Sequence, residues 1–208
     1  MKIFDISWPI STATTGYKDK KVVNFEPAKS FDKDNVRETT ITISAHTGTH
    51  VDAPSHFVRD GKTIDQIDLS SLIGKAKVFD MSLVSDGITR DHLENLQIDA
   101  GDIVLFKTVN SATQATDAYT PHFIFLEISG AQLLVERKVR AVGIDYLGIE
   151  RSQQGHLTHN LLFKHEISII EGLRLQNIEQ GTYFLCCLPL YMIGLDAAPA
   201  RAVLIEGL

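Results

Sequence analysis

The segment ETTITISAHTGTHVDAPSHF, from Glu38 to Phe57, constrains this chain more than any other. Its first residues alternate β-branched and polar side chains, the pattern of a half-buried strand. The run passes directly into three histidines and an aspartate. If residues 39–52 stay extended, the period of two sets Thr40, Thr42, Ser44, His46, Gly48, His50 and Asp52 on one face, with Ile41, Ile43, Ala45 and Val51 on the other. One face is then apolar core, and the other aims two imidazoles and a carboxylate the same way. That donor set suits a borderline divalent metal, which takes neutral nitrogen ligands at about 2.0–2.1 Å and an oxygen at similar range. Gly48 permits close backbone approach between the two histidines. Pro54 ends the ladder after Asp52, so His56 escapes the strand's parity and reaches over the site from a loop, where a free imidazole serves as an acid/base group.

Downstream, His159 and Glu171 flank the apolar stretch LLFKHEISII. As residues alone they allow either a second metal position or an ordinary core or surface role, and His156 competes with His159 if its segment is helical. His92, in a charged helical pattern, and His122, after Pro121, read as surface residues; His165 is left open. The chain has no G-x-S-x-G elbow, P-loop, G-x-G-x-x-G, C-x-x-C or H-E-x-x-H, which removes the nucleotide-binding and serine-hydrolase readings.

Charge narrows the partners further. Twenty basic residues against 26 acidic ones give a net charge of −6, without a block of like charges, so there is no electrostatic footprint for nucleic acid or an anionic membrane. Asp5 and Pro9 interrupt any apolar run near the N-terminus, so neither a signal peptide nor a membrane anchor is expected and the chain reads as cytoplasmic. The only cysteines, Cys186 and Cys187, are adjacent in an apolar run, where strand neighbours point to opposite faces; they read as two small buried hydrophobes.

No linker, low-complexity tract or internal repeat divides the 208 residues, so one domain over 1–208 is expected. Helices are expected over TRDHLENL, capped by Thr89, and over SGAQLLVERK, capped by Ser129. Strands are expected in DIVLFKT, in VRAVGID up to Asp145, and in HEISIIEG, GTYFLCCLPL and ARAVLIEGL. Strands outnumber helices but helices separate them, which favours a mixed α/β fold.

The run from His46 through His50, Asp52 and His56 to Phe57 resembles the signature of the metal-dependent cyclase superfamily, to which bacterial kynurenine formamidases and isatin hydrolases belong. The likeness extends along the chain, through Asp5-Ile-Ser-Trp-Pro9, Val142-Gly-Ile-Asp145, the segment from His159 to Glu171, Leu188-Pro189 and Pro199-Ala-Arg201-Ala-Val203. The resemblance implies a swivelling β/β/α domain, a mixed barrel-like sheet flanked by helices, assembled as a homodimer or homotetramer. It implies that His46, His50 and Asp52 bind one metal, that His159 completes a second site, that Asp52 and Glu171 bridge the two, and that His56 carries the proton. The twelve-residue step from His159 to Glu171 matches the family spacing and ranks His159 above His156. Kynurenine formamidases of this type carry a Trp-Pro-Gly-Asp stretch whose indole contacts the substrate. Here the corresponding region reads Thr14-Thr-Gly-Tyr17-Lys18-Asp19, so Tyr17 is the candidate to stack an aromatic ring, with Lys18 and Phe57 beside it in the pocket.

The expectation is therefore hydrolysis of an amide such as an aryl formamide, a lactam or an ester, with one or two Zn or Mn ions per chain and a small-molecule substrate. Two other readings compete. One is a non-catalytic protein that uses the metal to hold a small ligand; the other is a single structural zinc closed by four protein ligands.

Overall fold

Along the central strands, apolar residues alternate between two faces, and both faces are buried. The computed structural model describes residues 1–207. Its strands are β1 (Lys2–Asp5), β2 (Asn24–Lys29), β3 (Glu38–Thr42), β4 (His50–Asp52), β5 (Ile73–Asp80), β6 (Gly87–Ile88), β7 (Ile103–Lys107), β8 (Phe125–Leu126), β9 (Ala141–Ile144), β10 (Ser168–Glu171), β11 (Gly181–Pro189) and β12 (Ala197–Glu206). Its helices are α1 (Phe31–Asp34), α2 (Arg90–Leu93), α3 (Ile128–Glu136) and α4 (Leu157–Lys164).

The sheet closes on itself in the order β12, β11, β5, β7, β9, β10, β4, because β4 pairs with both β10 and β12. Strands β5, β7, β9 and β10 run parallel, the remaining pairings are antiparallel, and β1 adds to the free edge of β12. The result is a mixed, barrel-like α/β fold. Val51, Val78, Leu105, Ile170, Leu185 and Cys187 fill the lumen. Their neighbours Phe79, Val104, Phe106, Ile144 and Ile169 point outward and are covered by Leu93 of α2, Leu134 of α3 and Leu162 of α4. Each inward-facing aliphatic side chain of this kind contributes roughly 1.5–3 kcal/mol of burial.

That alternation places the polar residues of β4 and β10. With Val51 and Ile170 inside, the period of two sends His50, Asp52 and Glu171 to the outer face, beside α4.

Several expectations need correction. The extended run over 39–52 is broken: β3 stops at Thr42, residues 45–49 form a turn, and Gly48 takes φ +65°, which a strand does not allow. β2 and β3 pair only with each other, as an exposed arm. Thr40 and Thr42 therefore do not join the histidine face, and Ile41 lies 60% exposed instead of packing in the core. Helix α3 begins two residues earlier than a Ser129 cap implies, and Glu127 caps it by accepting from the Ser129 N–H at 2.8 Å, displacing Ser129 from that role.

Thr89 caps α2 as expected, with the His92 ring closing the cap from the third position, but the helix stops at Leu93, short of Leu96, and β9 and β10 end at Ile144 and Glu171, each one residue before the expected end. His92, His122 and His165 are exposed. Cys187 is buried in the lumen, Cys186 lies half-buried on the opposite face, and both are free thiols. No helix among the described residues is long and apolar enough to cross a membrane.

Candidate metal centre

The turn that carries His46 and the end of β10 are held backbone to backbone. Thr49 accepts the Trp8 N–H at 2.7 Å and donates its hydroxyl to the Gly172 carbonyl at 2.5 Å. Gly172 takes φ +70°, and a Cβ there would lie 2.3 Å from the Gly48 carbonyl oxygen, so only glycine permits this approach. Two segments far apart in sequence thereby meet with their functional side chains on one side.

Five expected residues converge. Asp52 Oδ1 lies 2.9 Å from His46 Nδ1 and 3.3 Å from His50 Nε2. Asp52 Oδ2 lies 3.5 Å from His159 Nε2. Glu171 reaches the same two histidines, with Oε2 3.4 Å from His50 Nε2 and Oε1 3.3 Å from His159 Nε2. Each carboxylate thus presents one oxygen toward His50 and the other toward His159. Glu171 Oε1 also accepts the Ile149 N–H at 2.6 Å. His50, Asp52, His159 and Glu171 are all buried.

These residues fit a divalent cation. His50 donates Nδ1–H to the Gly48 carbonyl at 2.9 Å, which fixes the neutral tautomer and leaves Nε2 a bare lone pair facing two carboxylates. Neither His50 Nε2 nor either Asp52 oxygen makes a hydrogen bond, and leaving such buried atoms unpaired is costly. Two ligands about 2.0–2.1 Å from a tetrahedral ion stand about 3.3 Å apart, close to the four separations of 3.3–3.5 Å found here. Ligand atoms of His50, Asp52 and Glu171, and of His46, Asp52 and His56, lie close enough together for one ion each.

Without a metal, protons must do this work. Burial pulls His50 down, but Asp52 and Glu171 outweigh it and push the imidazole up to about 10. His159 is likewise raised well above its ordinary value: burial opposes the change, and Asp52, Glu150 and Glu171 overcome it. Burial raises Glu171 and so does Asp52, yet His159 and His50 bring it down to about 2. A cluster that draws protons this strongly draws divalent cations for the same electrostatic reason.

His56 stands apart. It lies on the turn Pro54–His56, with its ring 4.2 Å from that of His46 and 4.0 Å from Phe57. Burial holds it below the ordinary imidazole range, so it is neutral and able to accept a proton near pH 7. Its Nδ1 lies 3.4 Å from Asp196 Oδ2, which is also 3.0 Å from His46 Nε2.

A cavity of about 300 Å³ opens over this cluster. Its walls include Tyr17, Lys18 and Phe57, as expected, along with His46, His56, His156, His159 and Glu171. Tyr17 shares a 2.6 Å hydrogen bond with Ser152, and its ring sits 5.0 Å from that of Tyr119. Two carboxylates were not anticipated. Asp196 follows a loop without a motif, and Glu150 lies within the irregular segment between β9 and α4; neither has a neighbour in sequence that flags it. His156 stays outside the buried centre, bonded to Glu150 at 2.6 Å and stacked on Phe57 with centroids 4.0 Å apart.

Comparison with known proteins agrees with this geometry. The Cyclase family model, described as "Putative cyclase", matches residues 4–151. A kynurenine formamidase of Salinibacter ruber is 33% identical over 207 residues, covering 98% of this chain and 97% of its own. A solved structure described as a predicted metal-dependent hydrolase from Bacillus stearothermophilus superposes with a TM-score of 0.87 at 44% identity, covering 98% of this chain and 97% of that one. Isatin hydrolase A from Ralstonia solanacearum shares the fold, with a TM-score of 0.85 at 22% identity over 99% of this chain and 92% of its own.

Proposed function

The chain belongs to the Cyclase family, and from that premise we propose that it is a metal-dependent hydrolase that cleaves an amide, lactam or ester bond of a small aromatic substrate, N-formylkynurenine or isatin being the first to try. The observation that carries this reading is the buried set of His50 Nε2 and the two Asp52 oxygens, which lack hydrogen bonds and lie within 3.5 Å of His46, His159 and Glu171, residues that line the cavity together with His56.

In this reading His46, His50, Asp52, His159 and Glu171 would hold one or two Zn(II) or Mn(II) ions. A divalent ion there would supply Lewis acidity for the scissile carbonyl and acidify the attacking water. His56 takes the proton from that water as its oxygen bonds to the carbonyl carbon. It then returns the proton to the leaving nitrogen or oxygen as the C–N or C–O bond breaks. Asp196, beside Nδ1, orients the ring so that Nε2 does the exchange. Tyr17 and Phe57 line the cavity where they would flank the substrate ring.

The two free cysteines accord with a cytoplasmic setting. A homodimer or homotetramer is supported by the exposed arm, which displays Phe31 and Ile41; light scattering on the purified protein tests it.

The deciding experiment is elemental analysis, with N-formylkynurenine and isatin hydrolysis measured on the same sample before and after chelation. Bound Zn or Mn together with chelator-sensitive turnover supports the hydrolase. Metal without turnover of any amide, lactam or aryl ester in a wider panel turns the reading toward a ligand-binding protein, and failure to take up metal removes it.

A further inference from the structure

Glu150 is buried, with 3% of its surface exposed, and no lysine or arginine pairs with it. Its two oxygens are used differently. Oε2 accepts the Thr158 N–H at 3.1 Å and the His159 N–H at 3.3 Å, supplying the cap that α4 lacks, since His156 at the N-cap position offers no side-chain bond. Oε1 accepts from His156 Nδ1 at 2.6 Å and lies 3.3 Å from His159 Nδ1. The His159 ring is thus bracketed: one nitrogen faces Glu150, the other faces Asp52 and Glu171. His159 Nδ1 is buried and makes no hydrogen bond, and Glu150 Oε1 at 3.3 Å is the carboxylate oxygen that faces it.

We propose that Glu150 is a positioning residue for His159: through Oε1 it holds the proton on Nδ1 and keeps Nε2 as the lone pair turned toward Asp52 and Glu171. The inference rests on the reading of His159 as a metal ligand. A metal-bound histidine needs its remote N–H fixed by an acceptor, and removing such an acceptor lowers metal affinity by about 10–100-fold. Ligand atoms of Glu150, His156 and His159 also lie close enough together for one ion, but the 2.6 Å separation of His156 from Glu150 is that of a hydrogen bond, and in this proposal Glu150 is an acceptor and not a ligand.

A purely structural role as helix cap is the alternative, and one substitution separates the two. Glu150→Gln keeps an oxygen for the Thr158 and His159 amides but loses the charge that fixes the imidazole. Zn(II) titrated calorimetrically into chelator-stripped protein is expected to bind Glu150→Gln about 10–100-fold more weakly, while the melting temperature of the stripped variant stays near wild type and Glu150→Asp recovers part of the affinity. Wild-type affinity in Glu150→Gln overturns the inference. His159→Ala, run alongside, separates the two levels: if it binds Zn(II) as wild type does, the ligand assignment itself fails, whereas loss in His159→Ala with none in Glu150→Gln removes only the role given to Glu150. Should Glu150→Gln fail to fold, ¹⁵N spectra of histidine-labelled, Zn-loaded wild type decide the matter. The expected His159 signal has a proton on Nδ1 and none on Nε2; an unprotonated Nδ1 overturns the proposal.

Discussion

Glu171 stands directly opposite His50 in the antiparallel pairing of β10 with β4, and its Oε2 comes within 3.4 Å of His50 Nε2. Cross-strand partners of this kind have Cβ atoms about 4.5–5.5 Å apart, so a carboxylate and an imidazole placed there converge without any loop rearrangement. The centre is therefore as rigid as the barrel wall that carries it.

Rigidity of that sort sets the first expectation. His50→Ala removes a buried ligand from a preformed wall, so metal content and turnover should fall together. Added Zn(II) should raise the melting temperature of stripped wild type, since ligand at about 100 times its Kd stabilises by about 2.7 kcal/mol, and this rise should vanish in His50→Ala. An unchanged metal content in the variant, read by elemental analysis, would count against the ligand set.

His56 should behave differently, because it lies on the turn after Pro54 and pairs with the half-exposed Asp196. His56→Ala is expected to lose on the order of 10²–10⁴ in kcat while keeping its metal. Asp196→Asn should lose less, as the ring remains but is less firmly oriented. Equal metal loss in His56→Ala and His50→Ala would move His56 into the ligand shell.

The stripped protein should also show a distinctive response to pH. His50 is raised in the folded state from 6.5 to about 10, so its stabilising contribution is complete below pH 6.5 and lost as pH climbs through about 10. Glu171 is lowered from 4.5 to about 2, so its contribution is present above pH 4.5 and lost as pH falls toward 2. The melting temperature of chelator-treated protein should therefore be highest between about pH 4.5 and 6.5 and decline toward pH 10. Zn(II) should flatten the alkaline decline, because the ion replaces the protons. A melting temperature that rises from pH 6.5 to 10 without metal would contradict the electrostatics described for the cluster.

Much of this centre could be read along the chain because it obeys a period of two. Val51 faces the lumen while His50 and Asp52 face out, as the alternation required, and the same rule orients Ile170 and Glu171. The period failed one turn earlier, where Gly48 leaves the strand region and bends the backbone, so His46 joins the site from a turn and Thr40 and Thr42 depart on the arm. Glu150 and Asp196 were illegible for another reason. Each acts on a histidine brought to it by tertiary packing, Glu150 on His159 and Asp196 on His56, and no local pattern marks a residue whose partner arrives from another element.

Tyr17 tests the substrate side of the pocket. Its hydroxyl is tied to Ser152 and its ring leans on Tyr119, which fixes it at the cavity wall. Tyr17→Ala should raise KM for an aromatic substrate severalfold with kcat largely kept, the signature of lost ground-state binding, and Tyr17→Phe should retain most of the stacking. A fall in kcat at constant KM would place Tyr17 in the chemistry instead.

The contact between Gly172 and the Gly48 carbonyl yields the last expectation. An alanine at Gly172 carries two costs: a left-handed conformation disfavoured by about 1–2 kcal/mol for residues with a Cβ, and a methyl 2.3 Å from a backbone oxygen that must move. Gly194→Ala carries only the first, since its φ of +79° is similar and a Cβ there meets nothing within 4 Å. At about 2–4 °C per kcal/mol, Gly194→Ala should lower the melting temperature by roughly 2–8 °C and leave metal affinity alone. Gly172→Ala should lose more stability and also weaken Zn(II) binding, because the displaced turn carries His46 and leads into His50, while the residue before Gly172 is Glu171. If calorimetry finds the two variants alike in both respects, the backbone contact is not what aligns the two halves of the centre.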